Sequence, residues 1–410
     1  MTIAVPGVPA SRKTPGVAFN VILGGVGTSA GDAPVSIMLL GNKTAAVSVA
    51  SPTYAQAAGT ATVETVYTIA SSDDAATLFG LGSELHIMAL AAFAQQPNAA
   101  LFGCAVTDPA GTAASAVLTF ATSANAAGTV RLSLCGNIID VPVVNGDSAT
   151  TIAAAVCTYV NAVTSLPYYA QNSVGAVTFT AKNTGPRGNV LVVDAYFIAS
   201  GAVVPTRITT SSTASGFATT GVWSGTGTLG SEITLSLGAT QDTFANALLA
   251  IDARQYDRVA CSCIDSTNAV RVKNALVAQA APTIQILEQG VVPSVDTYEN
   301  GIIFAATMNS SRMQTAWHYA SALPPCAVAA QTAAGRVAGD GAIGGDLVGE
   351  ADDPAANLNG VQLATITVQR SVSDQPTATE IENALNNGLT PLAPSSTRPG
   401  FVEIVKSITT

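Results

Sequence analysis

Charged residues are scarce in this sequence, and the scarcity limits what the chain can bind. Asp, Glu, Lys and Arg make up 10% of the 410 residues, and 26 acidic against 16 basic residues give a formal net charge of −10. Nucleic-acid binding needs a basic surface that neutralises phosphates, so this balance excludes a nucleic-acid-binding protein. Depletion of charge is typical of interface cores, and it favours an assembly subunit over the alternative, a β-rich monomer with a Thr/Ser surface.

Three further absences exclude other classes of protein. No run reaches the ~18 consecutive apolar residues of a membrane-spanning helix, so we expect no direct membrane insertion. Pro6 and Pro9 lie where a signal peptide would have its apolar core, which indicates assembly in the cytoplasm rather than secretion. The six cysteines include no C-x-x-C pair, so the spacing of a zinc site is missing, and we expect neither a metal nor a cofactor.

One short motif nevertheless points to an enzyme. Residues 27–31 read GTSAG, the G-x-S-x-G elbow of serine hydrolases with Ser29 as the nucleophile. An elbow needs a helix directly after the serine, whereas residues 32–42 predict a second strand and therefore a hairpin loop. A triad also needs a histidine, and both histidines, His86 and His318, lie in segments with helical spacing of apolar residues. We expect a protein that is not an enzyme, and a hydrolase with Ser29 is kept as an alternative.

The apolar spacing predicts an α/β (α+β) multidomain fold in four parts. Residues 1–25 form a proline-rich extended arm, and residues 26–112 form the first part of a core. Residues 113–221 are rich in Thr, Ser and Gly and predict an inserted β-rich domain of strands and one helix. Residues 222–410 form the second part of the core and end in a strand. Because strands alternate with helices on both sides of the insertion, we expect a parallel sheet in a three-layer core.

Capping residues and apolar spacing also predict single elements in the first half of the chain. Ser71 or Ser72 caps one helix, and a second helix starts near Ser83. A hairpin turns at Gly136-Asn137. A further helix follows, and its apolar stripe consists of Ile152, Val156, Tyr159 and Val163.

The second half predicts a series of strands and helices. A helix begins at Ser266 or Thr267 as its cap, and strands follow at residues 282–289 and 301–309. The segment on both sides of Pro324 is predicted to be helical. The terminal strand presents alternating faces, and its residues are Phe401, Val402, Ile404 and Val405.

The cysteines allow more than one interpretation. Cys104 and Cys135 lie in strand-like runs and are expected to be small buried hydrophobes. Cys261 and Cys263 are two residues apart, so both side chains lie on one face of a strand. A buried strand of small residues is the expectation, and redox or metal chemistry of the C-x-C pair is the alternative.

Several segments, in their order along the chain, resemble the Mu-like contractile tail sheath proteins of bacteriophages. The segments are SRKTPGVAFNVILGG, LFGLGSELHIMALAAF, AAGTVRLSLCGNIIDVPVVNGDSATTIAAAV, LPYYAQNSVGAVTFTAKNTGPRGN, NSSRMQTAWHYASALPPCAVAAQTA, LNGVQLATITV, NALNNGLTPLAP and VEIVKSITT. They are spread over most of the chain, and none is a catalytic signature. The specificity of the resemblance lies in their order.

The resemblance implies a structural subunit that stacks as hexameric rings around a tail tube and contracts to drive the tube through the host envelope. Its partners would be copies of itself, the tail tube protein, and the baseplate and tail terminator proteins. Its location would be the phage tail of the virion, after assembly in the host cytoplasm. The alternative is another self-assembling protein, such as a tube-forming or surface-layer subunit.

The resemblance also implies roles for particular residues. An extended arm would add as a strand to a neighbouring subunit, and its residues are Arg12, Lys13, Thr14, Pro15, Val17 and Phe19. Glu380 and Glu382 would contact the tube, with a solvated helix face as the alternative. Thiols that leave the reducing cell on a virion could form disulfides between subunits, and the candidates are Cys104, Cys261, Cys263 and Cys326. Similar proteins continue past a segment like VEIVKSITT, so we expect either residues beyond Thr410 or a strand handoff through other segments.

Overall fold

The structure of the protein is a computed structural model that describes residues 36–208, 221–224, 227–229, 232–252, 254–342, 361–367, 372–395 and 399–405. All of these residues belong to one compact unit, Val35–Thr410. The predicted arm at residues 1–25 and the Ser29 motif lie outside the described residues.

Strands and helices alternate along much of the chain. The strands are β1 (Ser36–Asn42), β2 (Val47–Ala50), β3 (Thr53–Gln56), β4 (Val66–Ile69), β5 (Ala100–Val106), β6 (Ala113–Phe120), β7 (Gly128–Leu134), β8 (Asn137–Val143), β9 (Tyr168–Ser173), β10 (Ala176–Thr184), β11 (Val193–Ala199), β12 (Thr206–Ile208), β13 (Gly221–Ser224), β14 (Gly227–Leu229), β15 (Glu232–Thr234), β16 (Arg258–Cys261), β17 (Gln289–Ser294), β18 (Met313–Trp317), β19 (Val361–Thr367), β20 (Leu389–Pro394) and β21 (Phe401–Ile404). The α-helices are α1 (Ser72–Phe79), α2 (Glu84–Gln95), α3 (Ala149–Ala162), α4 (Ala245–Ile251), α5 (Ser266–Gln279), α6 (Tyr298–Met308), α7 (Pro325–Ala342) and α8 (Ala378–Asn386), and 3-10 turns lie at Pro186–Val190 and Val372–Asp374. Among the described residues, no helix combines the length and the hydropathy that a membrane crossing needs.

Nine strands form the central sheet, in the order β19-β21-β20-β18-β17-β16-β1-β5-β4. The six strands from β20 to β5 pair in parallel, which confirms the predicted parallel sheet. At the two ends of the sheet β4, β21 and β19 pair antiparallel. The chain passes from β1 to β5 on one side and later returns to β16 on the other, so the strand order reverses between β1 and β16.

Strand β1, in the middle of the sheet, has an unbroken run of apolar residues because helices cover both of its faces. Ile37 and Leu39 pack in a hydrophobic cluster with residues of α1, α2 and α7. Met38 and Leu40 pack in a second cluster with residues of α4 and α5. All four side chains are fully buried. A parallel strand that is covered on both faces needs an apolar residue at every position, whereas a half-exposed strand would alternate.

Serine side chains cap three helices in the first half of the chain, and two of them, Ser71 and Ser83, lie at predicted helix starts. The side chains of Ser71, Ser83 and Ser148 each accept a hydrogen bond from a backbone N–H three residues later, which satisfies a donor that the helix itself cannot. In the second half the prediction for α5 is wrong by one or two residues. Asp265 caps this helix rather than either of the two residues that follow it.

The strand predicted at residues 301–309 is wrong, because this segment lies in α6. Its buried residues, Gly301, Ala305 and Met308, are spaced as on one face of a helix, and Ile303 between them is 64% exposed. An Ile-Ile-Phe run has high strand propensity, but propensity is weak against the burial pattern. Thr297 caps the helix by accepting a hydrogen bond from the N–H of Asn300.

Two predictions for neighbouring segments are also wrong. The strand predicted at residues 282–289 is wrong, since β17 begins only at Gln289. The helix predicted before Pro324 is also wrong, because Met313–Trp317 forms β18 and His318 directly follows this strand. The helix after Pro324 is confirmed as α7.

Strands β6 to β13 and helix α3 lie within the predicted range 113–221, and together with the short strands β14 and β15 that follow them they are called the inserted module. Two four-stranded sheets, β13-β6-β10-β9 and β12-β11-β7-β8, enclose a hydrophobic cluster that runs from Ala114 to Leu235. The hairpin of β7 and β8 turns at Cys135 and Gly136, which have φ of 46° and 83°. Two successive residues with positive φ match the twist of antiparallel strands. In α3 the predicted stripe is wrong at Tyr159, which is 44% exposed, because Val160 faces the cluster instead.

Candidate functional site

A network of polar side chains lies at the carboxyl ends of β1 and β16. In open parallel sheets this is the position where ligands bind, because the chain leaves the two strands in opposite directions and opens a crevice. Asn42 ends β1, and Ser262 follows β16. The inserted module reaches this crevice with the 3-10 turn at Pro186–Val190.

Arg187 fills the crevice from the inserted module. Its Nε donates to Oε1 of Glu84 at 2.7 Å, and its Nη1 donates to Oδ1 of Asp242 at 2.9 Å. The guanidinium also lies over the ring of Phe244, 5.4 Å from the ring centroid. Burial by itself lowers the pKa of Arg187, but the two carboxylates outweigh this effect and raise its pKa above the ordinary value.

Glu84 joins Arg187 to the central sheet. It is the first residue of α2, where the helix dipole favours a negative charge. Its Oε2 accepts hydrogen bonds from the backbone N–H of Asn42 at 3.0 Å and from Oγ of Ser262 at 2.7 Å. One carboxylate therefore connects the ends of β1 and β16 to the inserted module.

A third carboxylate, Asp108, lies just after β5 in the same region. The Nδ2 of Asn183, from β10, donates to both of its oxygens at 3.1 and 3.0 Å and to the backbone oxygen of Lys43 at 2.7 Å. Asn42 also donates to Asp108 through its side chain. Burial raises the pKa of Asp108 to about 6, although the hydrogen bond from Asn183 opposes this shift.

Lys182 forms a further contact between the inserted module and the core. Its Nζ donates to the backbone oxygens of Leu81 and Thr164, both at 2.9 Å. Burial lowers the pKa of Lys182 to about 7. His86 lies close by and accepts a hydrogen bond at Nδ1 from the backbone N–H of Gly82 at 3.0 Å. Burial, followed by the charge of Lys182, lowers the pKa of His86 to about 4, so its imidazole is neutral near pH 7.

Little space is left in this crevice. The remaining cavity has a volume of about 30 Å³, enough for about one water molecule. Its lining includes Glu84, Asn183, Arg187, Ser262, Pro325 and Cys326. The protein's own charged side chains thus occupy the position at which an α/β sheet would hold a ligand. The arrangement joins the module and the sheet by compensated charges.

The predicted terminal strand lies within the chain's own sheet. β21 pairs with β19 on one side and with β20 on the other. Val402 and Ile404 are fully buried, while Phe401 is partly exposed. Val405 follows the strand, and its N–H donates to the oxygen of Pro391 at 3.1 Å. The strand therefore has both of its edges occupied.

Glu380 and Glu382 lie on α8. Glu380 forms a capping box with Thr377: its Oε2 accepts from the Thr377 N–H at 2.7 Å, and its own N–H donates to Thr377 Oγ1 at 3.2 Å. Glu382 is exposed. A contact of either residue with a tube stays a prediction, and for Glu380 the helix cap already explains the residue.

All six cysteines are buried, and none of them forms a disulfide within the described residues. Cys261 and Cys263 pack in one hydrophobic cluster, but the prediction that both lie on one strand is wrong, because β16 ends at Cys261. Burial raises the pKa of Cys104 to about 12 and that of Cys326 well above its ordinary value. Buried, protonated thiols react slowly, and disulfides between subunits through these cysteines stay a prediction. Within the described residues no group of three or more His, Cys, Asp or Glu side chains is arranged to hold a metal ion.

The two histidines are buried in different settings. His86 lies in α2, as predicted, and is 4% exposed. The Nε2 of His318 lies 3.2 Å from the backbone oxygen of Thr367. Burial lowers the pKa of His318 to about 4.

Sequence reasoning missed Arg187, Asp242 and Asn183. Arg187 pairs with residues 103 and 55 positions away, so no local pattern announces the contact. Arg187 directly follows Gly185-Pro186, which is a turn signal but does not identify the partners of the arginine.

Comparison with known proteins gives matches among solved structures. No protein family model and no curated protein matches this chain. The chain is similar to the crystal structure of a sheath tail protein from Desulfitobacterium hafniense, with 15% identity and a TM-score of 0.40 over 92% of this chain and 74% of that chain. It is also similar to that of a sheath tail protein from Listeria innocua, with 14% identity and a TM-score of 0.38 over 92% of this chain and 69% of that chain.

Proposed function

We propose that this protein is a structural subunit of a contractile phage tail sheath. The segments that resemble tail sheath proteins, and their order along the chain, support this class of protein. The observation that carries the proposal is the buried arginine network, in which Arg187 of the inserted module is paired with Glu84 and Asp242 of the core. A subunit that passes force between layers of a lattice must move as one body, and this network joins module and core at the place where other α/β proteins keep a ligand crevice.

The energetics of the network suit this role. Once two carboxylates and a guanidinium are buried together, removal of one partner leaves an uncompensated charge and costs about 3–5 kcal/mol. Separation of the module from the core would instead expose all three groups to water, so this figure applies only while the module and the core stay together. In the proposal the rearrangement during contraction takes place between subunits, and the Arg187 network stays intact.

The finer features of the proposal concern the assembly. The subunit has a three-layer core made of residues 26–112 and 222–410, and residues 113–221 are an outward-facing insertion. Subunits stack as hexameric rings around a tail tube in the virion, and baseplate and terminator proteins cover the two ends. Because β21 is already paired on both sides, we assign strand addition between subunits to the arm, residues 1–25.

Electron microscopy of the purified full-length chain tests this function. Striated hollow cylinders, of one diameter in an extended form or of a second diameter after contraction, are the expected result. Flat lattices would favour the surface-layer alternative. Particles that stay compact and monomeric at every concentration and ionic strength would contradict the proposal.

A further inference from the structure

The outer edge of the nine-stranded sheet is formed by β19. On its inner side β19 pairs with β21, with Val361 opposite Ile404 and Leu363 opposite Val402. An edge strand offers a row of backbone N–H and C=O groups to any extended chain that meets it. In this protein, helices α2 and α7 supply side chains to that row.

Gln95, the last residue of α2, binds this edge with both ends of its amide group. Its Nε2 donates to the backbone oxygen of Gln362 at 3.0 Å, and its Oε1 accepts from the N–H of Ala364 at 2.8 Å. In a parallel ladder, a residue donates to the carbonyl before its partner and accepts from the N–H after it. The amide of Gln95 thus reproduces the hydrogen bonds of one residue of a parallel strand placed opposite Leu363.

Gln331, from α7, continues the pattern along the edge. Its Oε1 accepts from the N–H groups of Thr365 and Ile366 at 3.2 and 3.0 Å, and the side chain is fully buried. Its Nε2 lies 3.4 Å from the backbone oxygen of Ala91. Side chains from the two helices therefore engage β19 from Gln362 to Ile366.

We infer that Gln95 and Gln331 close the edge of β19 against edge-to-edge pairing with β19 of a second copy of this chain. Proteins commonly protect such edges with lysine or other charged residues, but only 10% of this chain is charged. Amide side chains satisfy the same backbone groups without charge. The opposite edge strand, β4, has four residues, and a short edge strand offers little to pair with. This inference does not depend on the tail sheath proposal, since edge protection is needed in any chain that must stay soluble before it assembles.

The variant Gln95→Met tests the inference. Methionine keeps the length of the side chain and removes its hydrogen bonds, and position 95 is only partly buried, so the fold is expected to be retained. The matched control is Gln96→Met, at the adjacent residue whose side chain makes none of the bonds to β19 described above. Hydrogen exchange of the Ala364 amide reports the contact. Light scattering after size exclusion, at a concentration where the wild-type chain is monomeric, reports association.

We expect the Ala364 amide to exchange at least tenfold faster in Gln95→Met, and a dimer or larger species to form in this variant alone. Unchanged exchange would contradict the contact, and faster exchange without association would contradict its protective role. Equal association of the Gln96→Met control would also overturn the inference. A second variant, Gln95→Glu, keeps the acceptor for Ala364 and adds charge to the edge, so we expect slow exchange and a monomer. These experiments compare variants, whereas the proposed function is tested by whether the wild-type chain forms cylinders. A negative result for the edge of β19 therefore does not bear on the proposed function.

Discussion

Arg187 and Glu288 are buried at opposite ends of the parallel strands, and the two residues differ in their charged partners. At the carboxyl ends of β1 and β16, Arg187 meets two carboxylates and an aromatic ring. At the amino end of β17, Glu288 is 1% exposed and accepts one hydrogen bond, at 2.6 Å, from the N–H of Tyr256. Its other oxygen, Oε2, is buried without a hydrogen-bond partner among the described residues.

The difference shows in the protonation of Glu288. Burial raises the pKa of this carboxyl to about 7; the Tyr256 N–H opposes the shift, and the nearby charges of Asp252 and Asp257 add to it. A buried carboxyl without a cation avoids the cost of its charge by keeping its proton, whereas a buried carboxylate beside a guanidinium keeps its charge. The same sheet therefore carries an ionic end, where the module is attached, and a protonated end.

The largest expected effect comes from breaking the ionic end. Arg187→Met leaves Glu84 and Asp242 buried without a cation, so the free energy of unfolding should fall by about 3–5 kcal/mol. Urea denaturation measures the change. The matched control is Arg131→Met. Arg131 also pairs with a carboxylate, Asp140, at 2.7 Å, but the side chain of Arg131 is 39% exposed and that of Asp140 is 45% exposed. An exposed pair contributes about 0–1 kcal/mol, and equal losses in the two variants would contradict the special role of Arg187.

The next effect comes from the protonated end and has the opposite sign. The pKa of Glu288 is raised from 4.5 to about 7 in the folded protein, so between these pH values the folded state holds a proton that the unfolded chain has lost. Stability therefore falls as the pH rises from 4.5 to about 7. Glu288→Gln stays neutral at every pH and should raise the free energy of unfolding by ~2–3 kcal/mol at pH 8.

Urea denaturation of this variant at pH 4 and pH 8 measures both limits, and no gain is expected at pH 4. The exposed Glu382→Gln is the control, with no change expected at either pH. A gain in Glu288→Gln that is equal at the two pH values would show that packing, rather than the proton, explains it.

The smallest effect concerns Asp108, which makes the contrast between the ends less absolute. Its pKa is raised from 3.8 to about 6 by burial, so its share of stability is lost as the pH rises through that window. Asp108 is only partly buried, so its deprotonation should lower the free energy of unfolding by only about 1 kcal/mol over this pH range. Asp108→Asn should abolish this decrease. Thermal melts from pH 3.5 to pH 8 measure it. The loss of stability with rising pH should be complete near pH 6 for Asp108 and near pH 7 for Glu288. The effects of the two substitutions on the free energy of unfolding should be additive, since the residues lie at opposite ends of the strands.

Much of the fold could be predicted because its signals are local. Ser71 and Ser83 cap helices at the predicted starts, and the apolar residues of β1 lie in the strand predicted at residues 32–42. The failure at α6 has a local cause as well: Ile302, Ile303 and Phe304 resemble a strand, while small Gly301 and Ala305 make the buried contacts of the helix. Strand propensity and burial spacing conflict there, and burial decides.

The polar networks could not be predicted, because they join residues that are far apart in sequence. Arg187 reaches Glu84 across 103 residues, and the amide of Gln95 reaches Ala364 across 269. Arginine and glutamine carry no period or capping rule that names such partners. The terminal strand is an intermediate case: its alternation predicts a strand, but its place between β19 and β20 depends on the whole sheet.

The pairing of β1 with β16 has a consequence for synthesis of the chain. Ser36 donates its backbone N–H to Asp257, which emerges from the ribosome 221 residues later. At translation rates of about 5–20 residues per second, one side of β1 waits roughly 10–45 s for its permanent neighbour. The inserted module emerges during that interval with its own hydrophobic cluster. If the module folds first, its folding brings the chain segments before and after it close together. The effective loop between β1 and β16 is then shorter, and the entropy cost of pairing the two strands is smaller.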